Sequence, residues 1–335
     1  MATFHEILVF VAASLLFLLK VCIAASVDMK TFIERLDRKG GMAIGVTCQF
    51  IILPFCGFCI AKILNLEPLY GMALMIIMTS PGGSYSNWWC SVFNADLAMS
   101  VAMTGASTLV GVIMLPANLS LYCMLLYGES TFTGDHFVSV LMSLAVIIIA
   151  LTVGLGMSKC MESERARDRF NVGANFVGIS LFVLSIFVSE HKSRTPVWKK
   201  PLSLHIAIAT PIVMAILLTI CVTSIPAFGL KKPERVAVVI EACYQNPGLA
   251  TSIVLGIFSG RDAGDAVAVP ILYGSYEALL LGLFCLWAHF FGWTFVDPSK
   301  VGLLQAIKGN YQKGGEYSGD VDVSAHEQEL SQGHE

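Results

Sequence analysis

The chain alternates long apolar runs with short polar connectors. Its runs have bilayer length, since about 20 helical residues at about 1.5 Å each span a hydrocarbon core. In order they are Phe4–Ser26, Met42–Leu64, Leu69–Phe93, Leu97–Tyr127, Phe137–Met157, Val172–Val188, Leu204–Phe228, Val236–Phe258 and Val267–Trp293. These nine runs predict an all-α polytopic membrane protein with nine transmembrane helices. The first ends in Ala24-Ala25-Ser26, a cleavage-site-like triplet. His5 and Glu6 stand where a leader would carry positive charge, so a retained helix is expected.

Two of the runs are interrupted. Val236–Phe258 holds Glu241, Tyr244, Gln245, Asn246, Pro247 and Gly248 near its centre, and Leu69–Phe93 holds Thr79, Ser80, Pro81, Gly82, Gly83, Ser84, Ser86 and Asn87. Proline lacks an N–H and clashes with the preceding turn, and glycine accepts backbone angles that others avoid, so both helices should break at their polar clusters. Broken backbone at membrane depth survives only where it lines a cavity or is buried in protein. An intramembrane carboxylate such as Glu241 is costly unless paired, and it marks an ion or substrate path.

Each interrupted run is followed by a long unbroken one, Leu97–Tyr127 behind an expected Asp96 N-cap and Val267–Trp293. The second half has five runs and the first four. If an ancestral first span is missing, the halves are inverted repeats, and paired interrupted helices in such halves point to a secondary transporter's midplane site. The connectors with Lys30, Arg35, Arg38 and Lys39, with Lys159, Arg165, Arg167 and Arg169, and with Lys231, Lys232 and Arg235 fall on one side of this layout. By the positive-inside rule that side is cytoplasmic and the N-terminus is outside. The loop Ser189–Pro201, with Lys192, Arg194, Lys199 and Lys200, runs against the rule. Residues 1–293 are thus expected to form the transporter domain, and the polar stretch Thr294–Glu335 a disordered cytoplasmic tail.

Composition agrees with a membrane protein: 56% hydrophobic and 13% charged residues, against roughly 25% charged in soluble domains. Net charge is −3 and no basic block occurs, which sets nucleic-acid binding aside. The ten cysteines lie almost all in apolar runs, where they read as small hydrophobes, and Cys56-x-x-Cys59 lacks the further ligands of a zinc site. Neither a nucleotide loop nor a nucleophile–base pair is visible, so neither an enzyme nor an ATP-driven pump is expected, and no cofactor beyond a coupling ion. Sodium is bound by hard oxygen ligands, which freed carbonyls, hydroxyls, amides and a carboxylate supply where half-helices part. The glycines at 82 and 83 allow close backbone approach and expose N–H groups to an anion. Ser100, Thr104, Ser107 and Thr108 share one helical face, a pattern more often seen as helix–helix glue. His205 and His289 read as packed or interfacial, and the Asn118 glycosylation sequon is discounted because it lies inside an apolar run.

The segments SPGGSYSN (80–87), ADLAMSVAMTGAST (95–108), EACYQN (241–246) and VPILYGSYE (269–277) resemble the bile acid:sodium symporter family, with the likeness extending over Val21–Trp293. The resemblance implies a panel domain and a core domain, with two broken helices crossing at the centre of the core. It implies one sodium site at Ser86, Asn87, Ser100, Thr104 and Glu241. A second would use Gln49, Glu241 and Gln245 with the carbonyls of Ala242 and Tyr244. Ser84 and Asn246 would approach the organic anion, and Glu277 would face the same cavity. The chain departs from the family pattern at Cys243 and Ala95, each replacing a glycine, and at Glu277, a second buried carboxylate that would repel an anion. Glu277 is either a structural acid paired with a neighbouring helix or a substrate-facing group. In the second role its neutralisation would change which anions are carried more than it changes sodium affinity.

The expected function is sodium-coupled symport of a bile-acid-like or steroid-conjugate-like anion by alternating access in a cellular membrane, most simply the plasma membrane. The alternatives are a proton-coupled carrier of a small monocarboxylate and a non-transporting receptor or assembly subunit with the same fold.

Overall fold

The computed structural model describes residues 4–26, 39–83, 85–128, 134–161 and 163–309, and among them all regular structure is helical. Helix α1, Phe4–Ser26, coincides with the first apolar run. The second run divides into α2 (Lys39–Thr47), a π-helical turn (Cys48–Ile52) and α3 (Leu53–Ile63). Pro54 explains the π turn, because it has no N–H to return to the carbonyl of Phe50. Leu53 N–H reaches back to Cys48 O instead, and Asn118 Nδ2 donates to the stranded Phe50 O at 2.7 Å. The glycosylation sequon at Asn118 is thereby a buried structural contact.

The third run breaks as expected, into α4 (Pro68–Met78) and α5 (Ser86–Val92). Asp96 caps α6 (Leu97–Tyr127), its Oδ1 accepting Met99 N–H at 2.8 Å. There follow α7 (Gly134–Lys159), α8 (Glu164–Lys192) and α9 (Leu202–Thr223). The second interrupted run is α10 (Lys232–Cys243) and α11 (Pro247–Ile257), followed by α12 (Gly260–Phe290). Seven helical stretches among the described residues are long and apolar enough to cross a membrane. Phe10, Ile113 and Phe176 face outward at 73%, 71% and 72% exposure, as side chains do when the solvent is lipid. The chain is an integral, multi-pass membrane protein.

Helix α1 packs against α7 and α8 and also touches α11, while α12 packs against α4, α8, α9 and α11. The half-helix α4 is buried without interruption from Gly71 to Met78, as a segment at the centre of a bundle must be. The basic loop after α8 folds onto the start of α12. Arg194 bridges Asp262 at 2.6 Å and Asp265 at 2.7 Å, and Lys200 meets Asp265 at 2.5 Å with both side chains 1% exposed. Ser193 Oγ also donates to Asp265 at 2.6 Å. Two of the loop's four cations, Arg194 and Lys200, are therefore paired with carboxylates of α12.

The stretch from Thr294 differs from the open tail expected of it, at least as far as Gly309. Phe295 N–H donates to Asn94 O at 2.9 Å and Asn94 Nδ2 donates to Ala306 O at 2.8 Å, so this piece folds back on the end of the first broken run. Val296, Val301 and Ala306, the last in α13 (Leu303–Lys308), form a small apolar cluster there. The rest of the expected tail, 310–335, lies outside the described residues.

Candidate functional site

The two helix breaks meet. At the end of α4, Ser80 Oγ donates to Gln245 Oε1 at 3.1 Å and accepts Asn246 N–H at 3.2 Å, while Gly83 N–H donates to Tyr244 O at 3.3 Å. Such proximity requires missing side chains. A Cβ on Gly83 would overlap the Tyr244 ring, and one on Gly82 would lie 3.3 Å from Glu241 Oε2, 3.4 Å from Ser107 Oγ and 3.5 Å from Gln49 Nε2. Glu241, Gln49 and Ser107, from three different helices, thus converge on the bare backbone of Gly82.

Glu241 is 1% exposed, and among the described residues no ion pair involves it. Its carboxylate accepts from Ser100 Oγ at 2.5 Å and from Thr104 Oγ1 at 3.0 Å to each oxygen. The same hydroxyls face Asn87 Oδ1 at 2.8 and 3.5 Å, and Thr104 Oγ1 also lies 3.1 Å from Ser100 O. The cluster is short of protons: two hydroxyl hydrogens are shared among the carboxylate, an amide oxygen and a backbone carbonyl. Ser86 lies in the same turn, donating to Gly83 O at 2.9 Å, with the Glu241 carboxylate also within its reach. An oxygen-rich, hydrogen-poor, buried and anionic set of this kind fits a hard monovalent cation.

The residues of the second implied set are gathered less completely. Gln49 is fully buried, carried inward by the π turn, and neither its Oε1 nor its Nε2 has a hydrogen-bond partner. Gln245 turns its Oε1 to Ser80 and its Nε2 to Ala242 O at 3.4 Å, and Tyr244 O is taken by Gly83 N–H. Ser80 is the partner that sequence reasoning missed. It belongs to the SPGGSYSN segment, so its place in the motif was the available signal.

Beside the crossing lies a cavity of about 350 Å³ between α1 and α8 on one side and the two breaks and α12 on the other. Its walls include Leu19, Tyr85, Trp88, Trp89 and Phe182, with Asn246 among its few polar groups. Asn246 caps α11, its Oδ1 accepting Leu249 N–H at 2.9 Å, and its Nδ2 is left without a partner. Ser84, the other residue implied for the anion, lies outside the described residues. Glu277 differs from the cavity-facing expectation. It is fully buried, it is not among the cavity's lining residues, and its Oε1 accepts the backbone N–H of Gln245. α12 presents Gly274, Ser275 and Ala278 to the cavity instead. By taking the amide that would otherwise continue α10, Glu277 helps hold the second break open.

Lys20 stands outside the motifs and polar clusters of the sequence. It is fully buried on α1 and its Nζ has no hydrogen-bond partner. The signal was a lone cation in an otherwise apolar run. His205 and His289 behave as expected: the first shares a 2.7 Å hydrogen bond with Tyr276 and the second is packed at 2% exposure.

The chain is similar to known transporters. The sodium bile acid symporter family matches residues 13–196, more than half of the chain. Sodium/bile acid cotransporter 4 of Mus musculus is 26% identical over 297 residues, covering 86% of this chain and 65% of the relative. The ileal sodium/bile acid cotransporter of Oryctolagus cuniculus is 26% identical over 274 residues, covering 81% of this chain and 77% of the relative. A sodium-dependent organic anion transporter of Homo sapiens is 25% identical over 172 residues, covering 50% of this chain and 44% of the relative.

Proposed function

The chain belongs to the sodium bile acid symporter family, a family of transporters and not of enzymes, and on that premise we propose that it is a sodium-coupled symporter of an amphipathic organic anion, bile-acid-like or steroid-conjugate-like, in the plasma membrane. The observation that carries this reading is the proton-poor oxygen cluster around Glu241 at the meeting of two broken helices. Sodium would be held in one place by Glu241, Asn87, Ser100, Thr104 and Ser86. The second place would use Gln49, Glu241, Gln245 and the carbonyls of Ala242 and Tyr244, after Gln245 and Tyr244 exchange their present partners. Sharing Glu241 couples the two ions. Filling both places pins the breaks together beside the cavity, so the anion binds better to the loaded protein and, by linkage, sodium binds better with the anion present.

In the same reading each broken pair counts as one crossing, which makes nine. Helices α1, α7 and α8 form the panel and the remaining helices the inverted-repeat core, and rocking of one against the other gives alternating access to the cavity. Residues 1–293 form the transport unit, with the N-terminus outside and the stretch from Thr294 on the cytoplasmic side. The apolar, aromatic cavity supports an amphipathic substrate, with Asn246 among its few polar groups. The names of the relatives favour sodium over proton coupling, and transport over a receptor role. The deciding experiment is uptake of conjugated bile acids, steroid sulfates and small monocarboxylates into liposomes holding the purified protein. Concentrative uptake of one of the first two should require sodium and vanish in choline. Sodium-independent accumulation driven by a pH gradient would refute the proposal.

A further inference from the structure

A lysine inside a membrane helix ordinarily snorkels, burying its stem and keeping its ammonium in the headgroups. Lys20 does not. It lies near the C-terminal end of α1, yet its exposure is 0% and its Nζ has no hydrogen-bond partner. It falls on the stripe Leu8, Ala12, Leu16, Lys20 and Ala24, repeating every fourth residue, whose apolar members all join the main core. The preceding residue, Leu19, lines the cavity and packs with Ala174 and Leu181 of α8. Lys20 therefore sits where α1 faces the rest of the protein, one residue from the cavity wall.

That cavity lacks a counter-charge. Among the described residues that line it there is no lysine, arginine or histidine, while the carboxylates of Glu241 and Glu277 stand just behind the second break. An anion entering such a space meets two buried carboxyl groups and no fixed cation on the cavity wall. A buried, unpaired ammonium is itself unfavourable and persists where a partner arrives in some state of the protein. Each problem resolves the other.

We propose that Lys20 is the group that recognises the charged end of the transported anion, its flexible stem carrying the ammonium from its buried position to the carboxylate, sulfonate or sulfate of a substrate in the cavity. This rests on the organic-anion reading above and adds to it the cation that selects for charge. Pairing relieves the unpaired ammonium and the unpaired anion together, so the contact discriminates against uncharged analogues of the same shape.

The test is Lys20→Met, which keeps the length and removes the charge, beside Lys20→Arg. Trp88 and Trp89 line the cavity, so quenching of tryptophan fluorescence in purified protein reads binding without requiring transport. The probes are a taurine-conjugated bile acid, a steroid sulfate and an uncharged bile alcohol. Lys20→Met should weaken both anions by about tenfold or more, as expected for loss of a charge-assisted pair, and leave the bile alcohol unchanged. Lys20→Arg should retain anion binding within a few-fold. Because the variant removes an unpaired buried charge, Lys20→Met should also unfold at a temperature no lower than the wild type. Anion binding unchanged in Lys20→Met overturns the proposal, and so does equal loss of the anions and the alcohol. A wild type that binds these anions but does not accumulate them with sodium would count against the coupling reading while leaving the role of Lys20 intact.

Discussion

Replacing Glu241 by glutamine isolates what its charge does. The amide has nearly the same shape, and its Oε1 can still accept from Ser100 and Thr104, which now lie 2.5 to 3.0 Å from the carboxylate. The fold should therefore persist, and with no ion pair to Glu241 among the described residues, removing its buried charge should leave the ion-free protein at least as stable. Sodium binding should suffer instead. Two unit charges about 4 Å apart at an effective dielectric of about 20 attract by about 4 kcal/mol, and a directly coordinated ion sits closer still. A loss of about 4 kcal/mol corresponds to roughly a thousandfold in affinity, and both ions feel it because both sets share the carboxylate. The assay is uptake against sodium concentration in liposomes, with thermal unfolding of the purified protein with and without sodium as a control. Glu241→Gln should show no sodium-driven uptake at any attainable concentration and no stabilisation by sodium, although wild-type protein is stabilised. A variant whose half-saturating sodium stays within about tenfold of wild type would refute the assignment of Glu241 as the shared ligand.

Thr104→Ala removes one hydroxyl from the same cluster and leaves the charge, so it should raise half-saturating sodium by about tenfold without abolishing uptake, on the scale of one hydrogen bond to a charged group. Glu277→Ala strands the buried N–H of Gln245, which should lower stability by about 1–3 kcal/mol and raise the sodium requirement, whereas Glu277→Gln keeps an acceptor and should change both little. Sodium titrations and thermal unfolding of the two variants check this, and altered anion selectivity with unchanged sodium dependence would return Glu277 to the cavity-facing role. Asp265→Asn breaks the buried pair with Lys200 and should cost about 3–5 kcal/mol in an unfolding measurement, while Asp265→Leu combined with Lys200→Met should recover most of it.

Much of this architecture was legible from local chemistry. Pro247, Gly82 and Gly83 announced the helix breaks because proline and glycine act on their own turn, and Asp96 announced a helix start because a cap reaches only three residues. The polar residues stranded at those breaks, with Glu241 among them, announced a membrane-buried site for the same reason. The Gln49 turn was half-legible. Pro54 predicts a disturbed hydrogen bond, but the π register that carries Gln49 inward depends also on Asn118 of another helix donating its Nδ2–H to the surplus carbonyl of Phe50.

What the sequence by itself determined about this protein is where the chain is helical, where helices cannot continue and which segments need lipid or protein around them. Those follow from interactions within about one helical turn and from the burial of apolar surface. Only the tertiary structure decided which groups answer one another across the bundle. Glu277 turns from the cavity to the amide of Gln245, Lys200 meets Asp265 across 65 residues of chain, and Lys20 is buried where a snorkelling lysine was equally compatible with its run. The physical reason is that a buried polar group's partner is chosen by proximity in space, and the spacing of residues along a chain does not encode that distance.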